Sequence, residues 1–442
     1  MAVYKNREAF IPYTRQELIS LCLSDHKLSP TQEEEFQDFC QILAAYYHFK
    51  FHCYLENIKG NYTPFNPDGN ELAQAVDNVN SHKNMTKNLI KDLKTVLEKA
   101  NYYPLSPGVL NRALTEDSLF DLKTEVDFSD FEEMLCYCQG DIYETIKIKK
   151  WWRTKEKRID IFEKVLLLIK FKKERHFTRK SIPKTQINFK PGHIYLYLYG
   201  NLSKLDLEFI FPNVKMSMNW KDRLLFGIPA LGAGISLVFR LLPQLLLITA
   251  VFCYVFLGEI PNSVIPVREE EVRNLTPLLV TTLSLLMTLG GFAFKQYTSY
   301  KNKQIKFQKN ITETLFFRKI ASNTGVFQYL IDAAEEEECK ENILVYYHLL
   351  TSDNPLNAQQ LDQSIETWMV RKTGKKIDFD IGNTINNLCS IRGQIKLGVD
   401  KSESEVELAL LKKDQQQYLQ VLPLEQAKRV IDYVWDNAFK YV

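Results

Sequence analysis

Apolar and polar positions change their spacing several times along this chain, and each change marks a border. Up to about residue 140, apolar residues recur every three or four positions, the period of a helix with one buried face. "TRQE" (Thr14–Glu17) and "TQEE" (Thr31–Glu34) match the capping box, in which a Thr hydroxyl and a Glu three residues on satisfy orphan backbone donors; Pro30 sharpens the second start. The spacing predicts a long helix through "EFQDFCQILAAYYHFKFHCYLENIK", a loop at "NYTPFNPDGN" and a further helix at "MTKNLIKDLKTVLEKANYY".

Near residue 142 the pattern becomes that of strands. "DIYETIKIKKWW", "RIDIFEKVLLLIKFK" and "HIYLYLYG" are β-branched and aromatic, partly alternating, and predict a small antiparallel sheet with a helical turn at "SKLDLEFIFP". After residue 311 the helical period returns in "GVFQYLIDAAEEEECKENILVYYHLL", "NAQQLDQSIETWMVRKT" and "DFDIGNTINNLCSI". Two strands, "GQIKLGV" and "QYLQVLPL", and a last helix, "PLEQAKRVIDYVWDNAF", complete the order of a winged-helix module.

Between these blocks lie two long apolar runs. Leu224–Gly258 carries a single charge, Arg240, and Leu275–Phe294 carries none. A membrane helix needs about 20 apolar residues to cross a core about 30 Å thick. Lys and Arg beside a span stay on the cytoplasmic side, and both outer flanks are basic: Lys215, Lys221 and Arg223 before the first run, Lys295, Lys301, Lys303, Lys306 and Lys309 after the second. The connector holds Glu259, Glu269, Glu270 and Glu271 against Arg268 and Arg273. Two crossings are therefore expected, 241–257 and 275–294, with 224–239 an interfacial or partly inserted helix and Arg240 snorkelling to the inner headgroups. Thr281, Ser284, Thr288 and Gly291 share one helical stripe and read as a packing seam between the spans.

Composition limits where this membrane part can lie. The chain has 442 residues, 25% of them charged, and a mean hydropathy of −0.24, so the apolar runs are a minority between polar domains. Four are expected: a helical domain at 1–140, a basic α+β region at 141–220, the membrane region at 221–295 and a helical, winged-helix-like domain at 296–442. Net charge is +2, which leaves no overall nucleic-acid footprint. Residues 331–442 hold 13 basic and 19 acidic side chains, the wrong balance for a DNA-reading winged helix. Eight dispersed cysteines without a CxxC pair fit a reducing compartment.

Several blocks resemble a known family: "REAFIPYTRQELI", "HFKFHCYLENIKGNYTPFNPDGN", "PGHIYLYLYGNLSKLDLEFIFPNVKMSM", "GVFQYLIDAAEEEECKENILVYYHLL" and "PLEQAKRVIDYVWDNAFKY". They are similar to domain-of-unknown-function family 3754, which has bacterial, plant and mitochondrial members, and the similarity runs from about residue 7 onward. The resemblance implies a two-span membrane protein with most of its mass on one side and no established chemistry. It departs at Asn66, where the family pattern suggests an acid. The start of the chain close to the first block favours a bacterial member.

Candidate chemistry is sparse. His48 and His52 stand one helical turn apart and could contribute to a metal site, but zinc asks for three or four ligands and no third is evident; packed or hydrogen-bonded histidines are the favoured reading. The run Glu335–Glu338 spreads around a helix, so Glu335, Glu336 and Glu338 read as a solvated face or partner contact. Between Lys147 and Lys180 there are 14 basic and 4 acidic residues. Lys149, Lys150, Trp151, Trp152, Arg153, Lys172 and Lys173, with Arg240, are the expected contacts to anionic lipid headgroups, at about 1 kcal/mol for each cation at the surface. Neither GxxxxGK[ST] nor GxSxG nor HExxH occurs, and no catalytic residue or cofactor is expected.

The sequence thus predicts a predominantly α chain with a small antiparallel sheet (α+β), a two-span transmembrane hairpin and a winged-helix-like C-terminal unit. The expected function is that of a membrane-anchored scaffold or adaptor in a bacterial inner membrane with both termini cytoplasmic, binding lipids and an unidentified protein partner but no nucleic acid. The alternatives are a homo-oligomeric channel or transporter component lined by Thr281, Ser284 and Thr288, and a membrane-bound enzyme.

Overall fold

The computed structural model describes residues 10–69, 79–105, 122–150, 153–180, 187–218, 275–374, 376–378, 380–396 and 405–437. The chain divides into a first unit of residues 1–113, 127–213 and 318–442 and a second of residues 114–126 and 214–317.

The first unit starts with α1 (Arg15–Leu23), whose Thr14 and Glu17 form the expected reciprocal cap. The next helix, α2 (Pro30–Tyr62), starts two residues earlier than the "TQEE" pattern suggested. Ser29 caps it: its hydroxyl accepts from Gln32 N at 3.3 Å and its own N–H donates to Gln32 Oε1 at 3.0 Å. The reason is Pro30, which fits the first helical position because the N–H it lacks would have no partner there. Along α2, Phe36, Phe39, Leu43, Tyr47, Phe51, Leu55, Ile58 and Tyr62 are buried at helical spacing. After α3 (Val79–Lys99), β1 (Tyr103–Pro104) starts the sheet.

The sheet is larger than expected and entirely antiparallel. The short strand β2 (Leu122–Glu125) belongs to the second unit. In the first unit β3 (Phe131–Lys150), β4 (Arg153–Phe171), β5 (Ile194–Ser203) and β7 (Lys319–Ser322) join β1 in the order β1-β3-β4-β5-β7. A short helix, α4 (Glu174–Arg179), follows β4, and β6 (Lys215–Met218) pairs with β2 in the second unit. Val165 to Ile169 are all buried, so "VLLLI" is a strand covered on both faces, not an alternating one.

After β7 comes α6 (Thr324–Leu350), in which every residue from Glu337 to His348 is buried. Such a helix is enclosed on all sides and cannot present a solvated face there. Phe39 stacks on Tyr346 at 4.1 Å, and Tyr347 lies 5.6 Å from Phe36. The residue before α6, Asn323, has φ 51°, strained for a side chain with a Cβ. Three hydrogen bonds hold it: its N–H to Leu196 O at 2.8 Å, its Oδ1 from Leu196 N at 3.2 Å and its Nδ2 to Asp68 Oδ2 at 2.6 Å.

The C-terminal part holds α7 (Ala358–Thr373), α8 (Ile381–Ser390) and β8 (Arg392–Lys396), then β9 (Glu405–Ala409), β10 (Leu411–Lys413), β11 (Leu419–Val421) and α9 (Leu424–Asp436). The two strands expected to form one wing do not pair with each other. β8 pairs with β9 and β10 with β11, because "EVELALLKK" between them is itself extended. At Gly393 an added Cβ would stand 2.9 Å from Val430 O and 3.2 Å from the Val430 Cα. The obstacle is the α9 backbone, which cannot rotate away. Gly393→Ala is therefore expected to cost about 1–3 kcal/mol, read as a lower urea midpoint with an unchanged slope.

In the second unit, β2 and β6 pair from Leu122↔Met218 to Glu125↔Lys215, and α5 (Leu275–Arg318) belongs to it up to Phe317. The expected second span is not a separate helix ending at Lys295 but the first part of this 44-residue element. No Gly or Pro occurs between Phe292 and Arg318, and a lysine ends an apolar run without ending a helix. Among the described residues no helix is long and apolar enough to cross a membrane. That finding overturns the two-span hairpin, and with it the integral-membrane function, its channel and membrane-enzyme variants and the multi-pass placement. The expected first span, 241–257, and the helix 224–239 lie outside the described residues.

Candidate binding interface

The longest strands in the sheet extend beyond their neighbours. β3 and β4 pair from Phe131↔Phe171 to Lys150↔Arg153. β1 meets β3 only at Tyr137 and Cys138, and β5 accompanies β4 only from Ile161 to Lys170. Among the described residues, 143–150 and 153–160 therefore have no strand partner but each other, a two-stranded ribbon roughly 25 Å long at about 3.3 Å per residue. At its base Gly140 takes φ 68° opposite Glu163, where an added Cβ would lie 2.8 Å from the Glu163 Cβ.

The ribbon's distal part is basic. Between Lys147 and Arg158 there are seven cations, Lys147, Lys149, Lys150, Arg153, Lys155, Lys157 and Arg158, and one acid, Glu156. The register pairs Lys147 with Glu156, Ile148 with Lys155, Lys149 with Thr154 and Lys150 with Arg153. The pairs 142/161, 146/157 and 148/155 fall in one alternate set of positions, and this set includes Ile142, Ile146, Ile148, Ile159 and Ile161. Trp151 and Trp152, which join the strands in sequence, lie outside the described residues, as does Arg240.

The basic segment read from the sequence is not one patch. Lys149, Lys150 and Arg153 stand at the far end of the ribbon, whereas Lys172 and Lys173 follow the opposite end of β4, a strand length of about 60 Å away. Near that second end the cations already have partners. Lys180 Nζ donates to Asp127 Oδ2 at 2.8 Å and Asp130 Oδ1 at 2.6 Å, and Lys170 Nζ donates to Glu132 Oε1 at 3.2 Å.

The acidic run is placed by the enclosure of α6. Glu335 accepts from His48 Nδ1 at 3.0 Å, and Glu336 accepts from Arg15 N at 2.6 Å. Glu337 accepts from Ile11 N at 3.0 Å and from Lys340 Nζ at 2.5 Å. Glu338, 2% exposed, takes Lys99 Nζ and Asn387 Nδ2 on Oε1, each at 2.7 Å, with Lys50 Nζ 4.0 Å away. Glu341 accepts from Asn101 Nδ2 at 3.0 Å and lies 3.2 Å from Thr384 Oγ1. Burial, then the nearby Glu337 and Glu338, pushes the Glu341 carboxyl up to about 8, so it holds its proton at neutral pH. Burial lowers the Lys50 ammonium, with Lys99 acting the same way and Glu338 opposing both.

Of the other sequence candidates, His48 is bound to Glu335, and among the described residues no group of three or more His, Cys, Asp or Glu could hold a metal ion. His52 is exposed. Ser284 and Gly291 are exposed on α5; the side chains of Thr281 and Thr288 lie outside the description. In the position of a recognition helix, α8 turns Thr384, Ile385 and Leu388 into the core and sends Asn387 to Glu338. Lys99, Asn101, Lys340 and Asn387 were missed by the sequence reading. The signal for them was available: four carboxylates inside a helix that is apolar on both sides of the run cannot all reach water.

Residues 162–325 match the profile of a family described as "Protein of unknown function (DUF3754)", so the resemblance drawn from the sequence is borne out over that stretch. It covers the chain from within β4, at the base of the ribbon, to the first turn of α6. No solved structure matches the chain.

Proposed function

We propose that the chain is a binding protein that engages anionic lipid headgroups through the β3–β4 ribbon. The observation that carries this reading is the register, which among the described residues leaves 143–150 and 153–160 paired only to each other; the distal part of that ribbon, 147–158, holds seven cations and one acid, with Glu144 and Asp160 nearer its base. Surface contact of this kind asks for no crossing helix. Each Lys or Arg near an anionic surface contributes about 1 kcal/mol, so the net excess of six in 147–158 is worth up to about 6 kcal/mol before salt screening, the energy of a Kd of tens of micromolar.

A two-stranded ribbon also fits the major groove of duplex DNA, and two features favour lipid instead. The isoleucines that alternate with the lysines, and the paired tryptophans that join the strands in sequence, suit the boundary between headgroups and acyl chains.

The test is cosedimentation of the full chain with phosphatidylcholine vesicles, with and without phosphatidylserine, beside a duplex oligonucleotide. Binding is expected only to the vesicles containing phosphatidylserine, and is expected to weaken as salt rises. Replacing Lys149 and Arg153 by Glu changes the ribbon by four charges and should weaken binding by about a thousandfold. Binding to the duplex but not to the vesicles, or vesicle binding indifferent to the double replacement, would overturn the proposal.

A further inference from the structure

Residues 10–25 are fastened to α6 and α7 in a way that differs from the rest of the first unit. The segment buries Ile11, Leu18 and Cys22 and packs Tyr13, Ile19, Leu21 and Leu23 against the core. Ionised or polar side chains hold it at both ends. At the first end, α6 side chains read the backbone of residues 11, 13 and 15. Ile11 N donates to Glu337 Oε2 at 3.0 Å, Lys340 Nζ donates to Ile11 O at 2.6 Å and to Tyr13 O at 3.0 Å, and Arg15 N donates to Glu336 Oε1 at 2.6 Å. At the second end Asp25 accepts from Trp368 Nε1 at 2.6 Å and Tyr347 Oη at 3.2 Å, with Lys372 Nζ 2.7 Å away.

Alternate backbone groups met by side chains of a neighbouring element, with one β-branched side chain as anchor, are how an extended peptide is recognised. We propose that residues 10–25 form a detachable strap and that their seat on α6 and α7 is a recognition site for this segment, filled by the chain's own copy in one molecule and open to that of a second copy when the strap is released. Glu337 and Lys340 suit an emptied seat: they pair with each other at 2.5 Å and so neutralise one another once the backbone they read has left. Exchange of an identical element between protomers is a low-cost route to association.

The test uses the full chain and a labelled synthetic peptide of residues 10–25. Ile11→Asp places a charge in the apolar seat and should release the strap. The peptide is expected to bind this variant saturably and at least tenfold more tightly than the unaltered chain, whose seat is filled. Adding Lys340→Gln should reduce that binding at least tenfold, and a scrambled peptide should not bind. Failure of the peptide to bind an Ile11→Asp chain that keeps its helical circular dichroism would overturn the proposal, as would equal binding of the scrambled peptide. If Ile11→Asp does not fold, hydrogen exchange on the unaltered chain decides. Amides 15–24 must open well before those of 43–58 in α2, and exchange of both only by global unfolding would sink the idea.

Discussion

Glu338→Ala is expected to destabilise the first unit by about 3–5 kcal/mol, the range for removing one partner of a buried ion pair. The substitution takes the acceptor from Lys99 and Asn387, both at 2.7 Å, and leaves Lys50 without its counter-charge. The lower end of the range is favoured because the Lys99 and Lys50 side chains are 15% and 27% exposed and can turn partly toward water. Equilibrium urea unfolding measures the loss. A second measurement separates pair from packing: Lys99→Met costs on its own, but combined with Glu338→Leu it should cost clearly less than the sum of the two single changes. Additive losses would mean that Glu338 contributes only its volume.

Glu341→Gln is expected to act in the opposite direction and to stabilise the protein at neutral and alkaline pH. The folded carboxyl titrates near 8, raised by burial and by Glu337 and Glu338, against 4.5 in the unfolded chain. Below pH 4.5 both states hold the proton and the group is neutral to stability. Between 4.5 and 8 only the folded state holds it, so stability falls by about 1.4 kcal/mol per pH unit, to a ceiling of about 5 kcal/mol, and is flat above 8. Gln keeps an acceptor for Asn101 and a donor for Thr384 without the ionisation. The variant should match the parent at pH 4 and gain steadily up to pH 8, read as urea midpoints across the range. His348 sets the acid limb in both proteins. Burial, helped by Lys27 and Arg371 against Asp25, pushes its imidazole down to about 4 from 6.5, so stability is lost as pH falls below 6.5, by up to about 3 kcal/mol. Between pH 4.5 and 6.5 the two groups offset each other in the parent, so the Glu341 loss shows between 6.5 and 8; a parent profile that does not fall there, or a Gln variant with the same slope as the parent, would show that Glu341 is ionised in the folded state.

Much of the local structure was written in short patterns. The Thr14–Glu17 cap, the buried stripe of α2, the strands "RIDIFEKVLLLIKFK" and "HIYLYLYG" and the helix order of the C-terminal part all follow from spacing and turn chemistry, which act over a few residues. The errors share a different cause. The pairing of β8 with β9 instead of with "QYLQVLPL" depends on which extended segments meet. The continuation of α5 past Lys295 is a backbone matter that charge does not report. Helical geometry alone, which spreads four carboxylates around an axis, reads the acidic run as a solvated face or partner contact. What surrounds that axis is not a local property.

For this chain, then, the sequence by itself determined which segments are helices or strands, where the cations accumulate and which family profile residues 162–325 match. Tertiary structure alone decided that the cations of the segment 147–180 divide between a ribbon tip and the distant end of β4, and that Glu337, Glu338 and Glu341 lie inside, each held by donors from other elements. The physical reason is that propensity and periodicity are set within a turn or two of backbone. The environment of a charge is set by chain segments up to hundreds of residues away, as with Ile11 and Glu337, and burial is what turns an ordinary carboxylate into a proton-holding or load-sharing one.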